Sequence, residues 1–169
     1  SGGPVVSPVS AGPKNQFEVE KRKDILVYTT PPLKNNIQIT GPVKMILFAS
    51  SNCIDTDFTC KLVDVYPNGF CLNIAQGIIR ARYRNSWEDP EFLNPNEIYK
   101  YNIDMWSTSN FFHKDHKIRI EISSSNFPQF DRNPNTGNQF GMDKDLKTAT
   151  QKVYHDKNYP SHIILPCIE

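Results

Sequence analysis

At 169 residues the chain suits one domain and is long enough to bury a sizeable core. Nineteen Lys+Arg stand against eighteen Asp+Glu, a formal charge of +1. That near-balance argues against a nucleic-acid or anionic-membrane partner held by bulk electrostatics, and no apolar run approaches the roughly 18 residues of a membrane-spanning helix.

The start, SGGPVVSPVSAGP (1–13), is rich in Gly, Pro and Ser, lacks Met, shows no signal peptide and reads as an excised piece of a longer chain. Short strand patterns then follow one another, punctuated by Pro, Gly and Asn. DILVYTT (24–30) stops at Pro31-Pro32, which cannot continue a ladder. IQIT (37–40) stops at Gly41-Pro42, and VKMILFASS (43–51), nearly all apolar, reads as a central strand. FTCKLVDVYP (58–67) and FCLNIAQ (70–76) flank Asn68-Gly69, the strongest short hairpin signal because both residues tolerate positive φ.

GIIRARYR (77–84) is read as a further strand whose three arginines share one solvated face. A polar, Pro-containing segment leads to IYKYNIDMW (98–106), where Tyr99, Tyr101, Ile103 and Met105 alternate with polar residues. STSNFF (107–112) is the one helical candidate, with Ser or Thr available to cap a short turn. HKIRIEIS (116–123) sets Ile118, Ile120 and Ile122 on one face and Lys117, Arg119 and Glu121 on the other. TATQKVYHD (148–156) and SHIILP (161–166) complete nine or ten short strands, the signature of an all-β sandwich or barrel.

The chemistry-bearing residues are sparse. Cys53, Cys60, Cys71 and Cys167 form no CxxC pair, so no zinc site is expected. Cys60 and Cys71 flank the hairpin and can meet across strands; reduced, half-buried thiols are the favoured reading. The loop SSSNFPQFDRNPNTG (123–137) has the look of a serine active site, but the chain has no G-x-S-x-G elbow and no anion-stabilising glycine loop. Among His113, His116, His155 and His162, the pair in HKDH (113–116) is expected to be two surface loop histidines rather than metal ligands.

Asp55 and Asp57 in DTDF have a calcium-like spacing without the glycine-turned ligand loop. They are expected to cap backbone N–H groups or pair with an arginine, and Asp55, Asp57 and Arg80 are grouped as structural rather than catalytic residues. In the 123–137 loop, Asp131 and Arg132 are expected to pair or to bond backbone, with Phe127 and Phe130 as hydrophobic anchors. Ten Phe, seven Tyr and two Trp are many for this length. Trp87, Phe92, Trp106, Phe111, Phe112, Phe127 and Phe130 fall in loops or at strand ends, where an exposed cluster would mark an interface.

The ordered set DILVYTTPPL, GPVKMILFASS, DTDFTCKLVDVYPNG, GIIRARYR, FFHKDHKIRIEISSSNFPQFDRNPNTG and HIILPC closely resembles the C-terminal domain of X-Pro dipeptidyl-peptidases and CocE/NonD-type hydrolases. That family includes cocaine-esterase-like and α-amino-acid-ester-hydrolase-like enzymes. The match runs through nearly the whole chain, and one departure is Asp115, where the family often has Gly before the histidine. The resemblance implies an all-β jelly-roll sandwich, similar to galactose-binding-like domains, with two antiparallel sheets and little helix. Residues 1–20 resemble a lead-in from a catalytic domain, with the jelly roll at 21–169.

The family's triad lies upstream in an α/β-hydrolase domain, so no catalytic residue carries over to this chain, and no cofactor or metal is implied. The reading that follows is a non-catalytic accessory domain of a serine hydrolase that cleaves acyl, ester or peptide bonds. Its partner is the upstream α/β-hydrolase domain, whose substrate pocket it helps to shape through the loop aromatics. Homo-oligomer formation is left open, as is the choice between cytoplasm and secretion. The alternative is an autonomous carbohydrate- or ligand-binding β-sandwich; intrinsic activity through Ser123, Ser124 or Ser125 is the least favoured reading.

Overall fold

The computed structural model describes residues 12–139 and 141–168. They form nine strands: β1 (Leu26–Thr29), β2 (Ile37–Ser51), β3 (Asp57–Val65), β4 (Cys71–Arg80), β5 (Tyr99–Phe112), β6 (Lys117–Ser123), β7 (Gln151–Tyr154), β8 (His162–Ile164) and β9 (Cys167–Ile168). Two short 3-10 turns, Val19–Lys21 and Ala81–Tyr83, are the helical elements among these residues. One sheet runs β1-β6-β3-β4; the other runs β5-β2-β7, with β8 and β9 also paired to β2, and every pairing is antiparallel. The two sheets face each other as an all-β sandwich, as the resemblance implied.

Alternation explains the core. Ile39, Val43, Leu47 and Ala49 of β2 and Tyr101, Ile103 and Met105 of β5 point inward against Phe58, Cys60, Leu62, Ile79, Ile118 and Ile122 of the other sheet. The Phe58 and Tyr101 rings lie 4.8 Å apart at its centre. The sequence reading of 98–106 and the inward set Ile118 and Ile122 agree with this arrangement.

Gly41-Pro42 does not end a strand, contrary to expectation. The runs at 37–40 and 43–51 are one strand because Gly41 accepts φ +133° and the missing Pro42 N–H falls between the β8 and β9 pairings. Opposite this point the β5 register shifts and Trp106 takes φ +65°, a bulge. The bulge reverses the inward parity: odd residues face the core before it, and Phe112 faces the core after it. STSNFF is therefore strand, not helix, because its pairing with β2 overrides the local capping signal.

The Asn68-Gly69 hairpin forms with a longer turn than two residues. Gly69 alone of the pair is left-handed (φ +86°), and its N–H donates to the Tyr66 carbonyl at 2.9 Å. FCLNIAQ and GIIR fuse into β4, with Gly77 in mid-strand. Cys60 pairs with Gly77 and Cys71 with Val65, several rungs apart and on opposite sheet faces, and both thiols are free. At the turn into β6, Asp115 stands at φ +69°, the left-handed conformation that glycine adopts without strain.

The outer face of the β1-β6-β3-β4 sheet is covered at β3, whereas all four residues of β1 are exposed. The first eleven residues of the expected lead-in lie outside the described residues, but its remainder is seated on the sandwich: Asn15 bridges Leu72, and Gln16 is buried. Every residue of β3 is consequently buried. Under this cover Lys61 (β3) donates to Gln16 Oε1 at 2.8 Å and lies 3.8 Å from Glu121 (β6), while Arg119 (β6) pairs with Glu20 at 2.5 Å.

Both Glu121 oxygens and Glu20 Oε1 are buried without a hydrogen-bond partner. Burial, opposed by Lys61 and aided by Glu20, pushes the Glu121 carboxyl up from its ordinary 4.5 to about 7. Between those values the folded state holds a proton that the unfolded chain has released, so stability falls as pH rises through this window. Urea denaturation at pH 5 and pH 8 is expected to show this loss and Glu121→Gln to flatten it; an unchanged slope in the variant would refute it.

Candidate functional site

The carboxylates of DTDF stand at the entry to β3, and the RARYR arginines stand where β4 leaves its ladder for the 3-10 turn. That exit breaks the strand alternation, so Arg80, Arg82 and Arg84 are not a solvated row. Each is largely buried and paired. Arg80 holds Asp57 through two bonds, Nε to Oδ1 at 2.8 Å and Nη2 to Oδ2 at 3.1 Å, and reaches Asp131 at 3.3 Å. Arg82 donates its backbone N–H to Asp55 Oδ1 at 3.1 Å and its Nε to Oδ2 at 2.8 Å. Arg84 lies over Tyr99 and pairs with Glu91. Asp55 thus caps a backbone N–H and pairs with Arg82, while Asp57 accepts from the side chain of Arg80.

Asn133 joins the two pairs by donating to Asp55 Oδ2 at 2.9 Å and Asp57 Oδ1 at 2.8 Å. Burial raises the Asp57 carboxyl above its ordinary range, against the lowering by Arg80 and Asn133. The loop after β6 is thus buttoned along β4, the edge strand of its sheet. Asn126 and Gln129 bond Gln76, Asp131 and Asn133 bond the carboxylate–arginine pairs, and the Asn138 carbonyl accepts from Arg82. Coverage of this kind keeps an edge from pairing with another chain. Asn133, Gln76 and Arg82 have no local sequence signal; their roles arise only where the loop meets β4.

Within that loop two expectations change. Asp131 and Arg132 do not pair with each other: Asp131 goes to Arg80, and the Arg132 guanidinium lies 4.7 Å from the Phe127 ring centroid. Phe127 is 55% exposed and is no core anchor; polar bonds, not its ring, seat the loop.

The seven loop aromatics separate. Trp87, 77% exposed, stacks on Tyr83 at 5.7 Å, and both line one groove with Ile78 and Phe130 above the Asp57–Arg80–Asp131 bonds. Phe92 does not line this groove; it lies under the Arg82 guanidinium, 5.1 Å away. Trp106 and Phe111 are exposed on β5, in the other sheet, and Phe112 is fully buried, so it belongs to the core and to no surface.

The serines are strand-end residues. Ser123 Oγ contacts Thr59 Oγ1 at 2.7 Å and donates to the Ser125 carbonyl at 3.2 Å. His116 lies at the other end of β6, roughly 20 Å away by strand rise. It is buried, not a surface histidine as expected, with Nδ1 2.8 Å from Asp64 Oδ1 and its ring against Tyr66. Burial raises Asp64, partly offset by His116. His113 remains exposed.

Comparison with known proteins bears on this arrangement directly. The family model for the X-Pro dipeptidyl-peptidase C-terminal non-catalytic domain matches residues 4–164. Cocaine esterase of Rhodococcus sp. (strain MB1 Bresler) is 42% identical over 160 residues, which cover 94% of this chain and 28% of that protein. The structure of an aminopeptidase from the marine sediment archaeon Thaumarchaeota archaeon superposes with a TM-score of 0.87 at 31% identity, covering 92% of this chain and 28% of the other. An α-amino acid ester hydrolase gives a TM-score of 0.87 at 34% identity, covering 92% and 27%. The chain therefore spans under a third of the length of each of these relatives. A match over nearly the whole chain, on a sandwich whose serines stand at a strand end, makes this protein a member of the X-Pro dipeptidyl-peptidase C-terminal non-catalytic domain family.

Proposed function

We propose that this sandwich is the accessory domain of a larger serine hydrolase and that it docks on an upstream α/β-hydrolase domain through the Tyr83–Trp87–Phe130 groove. The relatives named above are an esterase, an aminopeptidase and an ester hydrolase, which supports hydrolysis of an ester or peptide bond as the proposed reaction of the parent. The observation that carries the docking surface is Trp87. Trp87, 77% exposed, stacks on Tyr83 and stands beside Ile78 and Phe130, and a contiguous exposed apolar patch of this kind marks an interaction site where a single exposed ring does not. Trp and Tyr at the centre of such a patch are the residues that dominate interface energies. The bonds from Asp57, Arg80 and Asp131 hold the groove floor rigid, so little ordering entropy is lost on docking.

The test is addition of this chain in trans to the catalytic part of the parent. Trp87→Ala is expected to weaken association at least tenfold while leaving the melting temperature of the chain unchanged. Undiminished association in that variant would remove the groove from the interface. Labelling of the 169-residue chain itself by a fluorophosphonate probe would overturn the accessory reading.

A further inference from the structure

Two neighbouring cavities flank the end of β6, on the side where the strand-end serines stand. One, of about 410 Å3, has an apolar floor of Leu26, Phe58, Ile122 and Val153. Its rim carries Lys23, Arg132 and Lys147, with hydroxyls from Ser123 to Ser125 on one wall. The second, of about 340 Å3, shares Ser123, Ser125 and Arg132 with the first and adds Arg22 and Lys61. The two are thus lined by five cationic side chains and one carboxylate, Asp24, in a chain whose whole formal charge is +1.

The pairing of these charges sharpens the picture. Asp24 is held by Arg22 through two bonds, at 2.9 and 2.5 Å, which keep its carboxyl below the ordinary range. Lys61 faces Glu121 and Gln16 beneath the N-terminal segment. Lys23, Arg132 and Lys147 form no ion pair among the described residues. Three unpaired cations from three separate chain segments therefore converge on one mouth, above an apolar floor and beside serine hydroxyls. All three are exposed, and the one carboxylate at the mouth, Asp24, is already held by Arg22, so an anion seated between them gains attraction from all three.

We infer that the larger cavity is a binding site for a small amphipathic carboxylate, its carboxylate among Lys23, Arg132, Lys147 and the serine hydroxyls and its apolar body on Phe58, Ile122 and Val153. The volume lies in the range of small-molecule sites, and an apolar floor with a few convergent polar groups is their usual build. Arg132 is the central residue. It lines both cavities, its guanidinium can grip a carboxylate with two bonds, and the Phe127 ring 4.7 Å away restrains it. A neutral sugar would leave the three cations uncompensated, and inorganic phosphate would leave the apolar floor wet. The inference rests on the cavity alone and stands or falls independently of the docking groove.

The test is titration of the 169-residue chain with 3-phenylpropionate, followed by amide chemical shifts and calorimetry, with inorganic phosphate and galactose as parallel arms. Saturable binding of 3-phenylpropionate is expected, with shifts at Ser124, Thr148 and Ala149 and loss of affinity at raised salt. Arg132→Ala and Lys147→Ala are each expected to weaken it at least fivefold at an unchanged melting temperature, with Arg132→Lys retaining part of the affinity. No saturation, affinity unchanged in both alanine variants, or equal or tighter binding of phosphate or galactose would each overturn the site.

Discussion

Alanine at Gly77 is expected to destabilise the fold by about 3 kcal/mol or more, lowering the melting temperature by roughly 6–12 °C for a domain of this size. Gly77 lies in mid-β4, where this edge strand passes directly over β5 of the opposite sheet. A Cβ there would stand 2.2 Å from the Asp104 carbonyl oxygen and 2.9 Å from Ile103 Cγ2. The first obstacle is backbone, which no rotamer change can move aside, and it adjoins the Trp106 bulge that sets the inward parity of β5. Gly69→Ala is the matched control: Gly69 is left-handed but has nothing within 4 Å of the added methyl, so only the backbone preference, about 1 kcal/mol, is lost. Thermal and urea denaturation of both variants decide the matter. A loss at Gly77 no larger than that at Gly69 would show that the two sheets do not close at this point.

Asp57→Ala is expected to cost about 3–5 kcal/mol, the range for breaking a buried ion pair from one side. Asp57 is nearly inaccessible and accepts from Arg80 twice and from Asn133 once. Without it Arg80 keeps the longer bond to Asp131, and Asn133 keeps Asp55. The loop 126–139 loses its central fastening to β4, and cleavage there in limited proteolysis is expected to rise with the drop in melting temperature. The double variant Asp57→Ala/Arg80→Ala is expected to lose less than the sum of the two single losses, because the two side chains act as one unit. Additive losses, or a loop equally resistant to protease, would show that the pair is ornamental to loop attachment.

The two substitutions address different joints of one design. Gly77 lets the two sheets approach where β4 crosses β5. Asp57 and Arg80 then fasten the long loop that shields the free edge of β4 and form the floor of the aromatic groove. Loss at either joint would disturb the groove without touching Trp87, so binding and stability are to be measured on the same variants.

Much of this molecule was legible from residue order alone. Strict alternation in 98–105 and in 118–122 placed the inward faces of β5 and β6, because side chains on a strand alternate whatever they later meet. The absence of an elbow argued against a serine nucleophile at 123–125, and the acidic pair of DTDF was read as a partner for arginine. Those are local properties, fixed by spacing and residue type. What the sequence left open were the consequences of distant segments meeting. Gly41-Pro42 looks like a strand end until β8 and β9 leave a gap that tolerates the missing N–H. STSNFF looks like a capped turn until β2 claims its backbone. RARYR looks like an alternating solvated face until the chain leaves the ladder at Arg80 and the three guanidiniums turn to four carboxylates, Asp57, Asp131, Asp55 and Glu91. The exposure of Phe127, the burial of Phe112 and the gathering of Lys23, Arg132 and Lys147 at one mouth depend on contacts across tens of residues. Periodicity is written in neighbouring positions and can be read there; burial and charge pairing are decided by which remote segments share a surface, and only the tertiary structure fixes that.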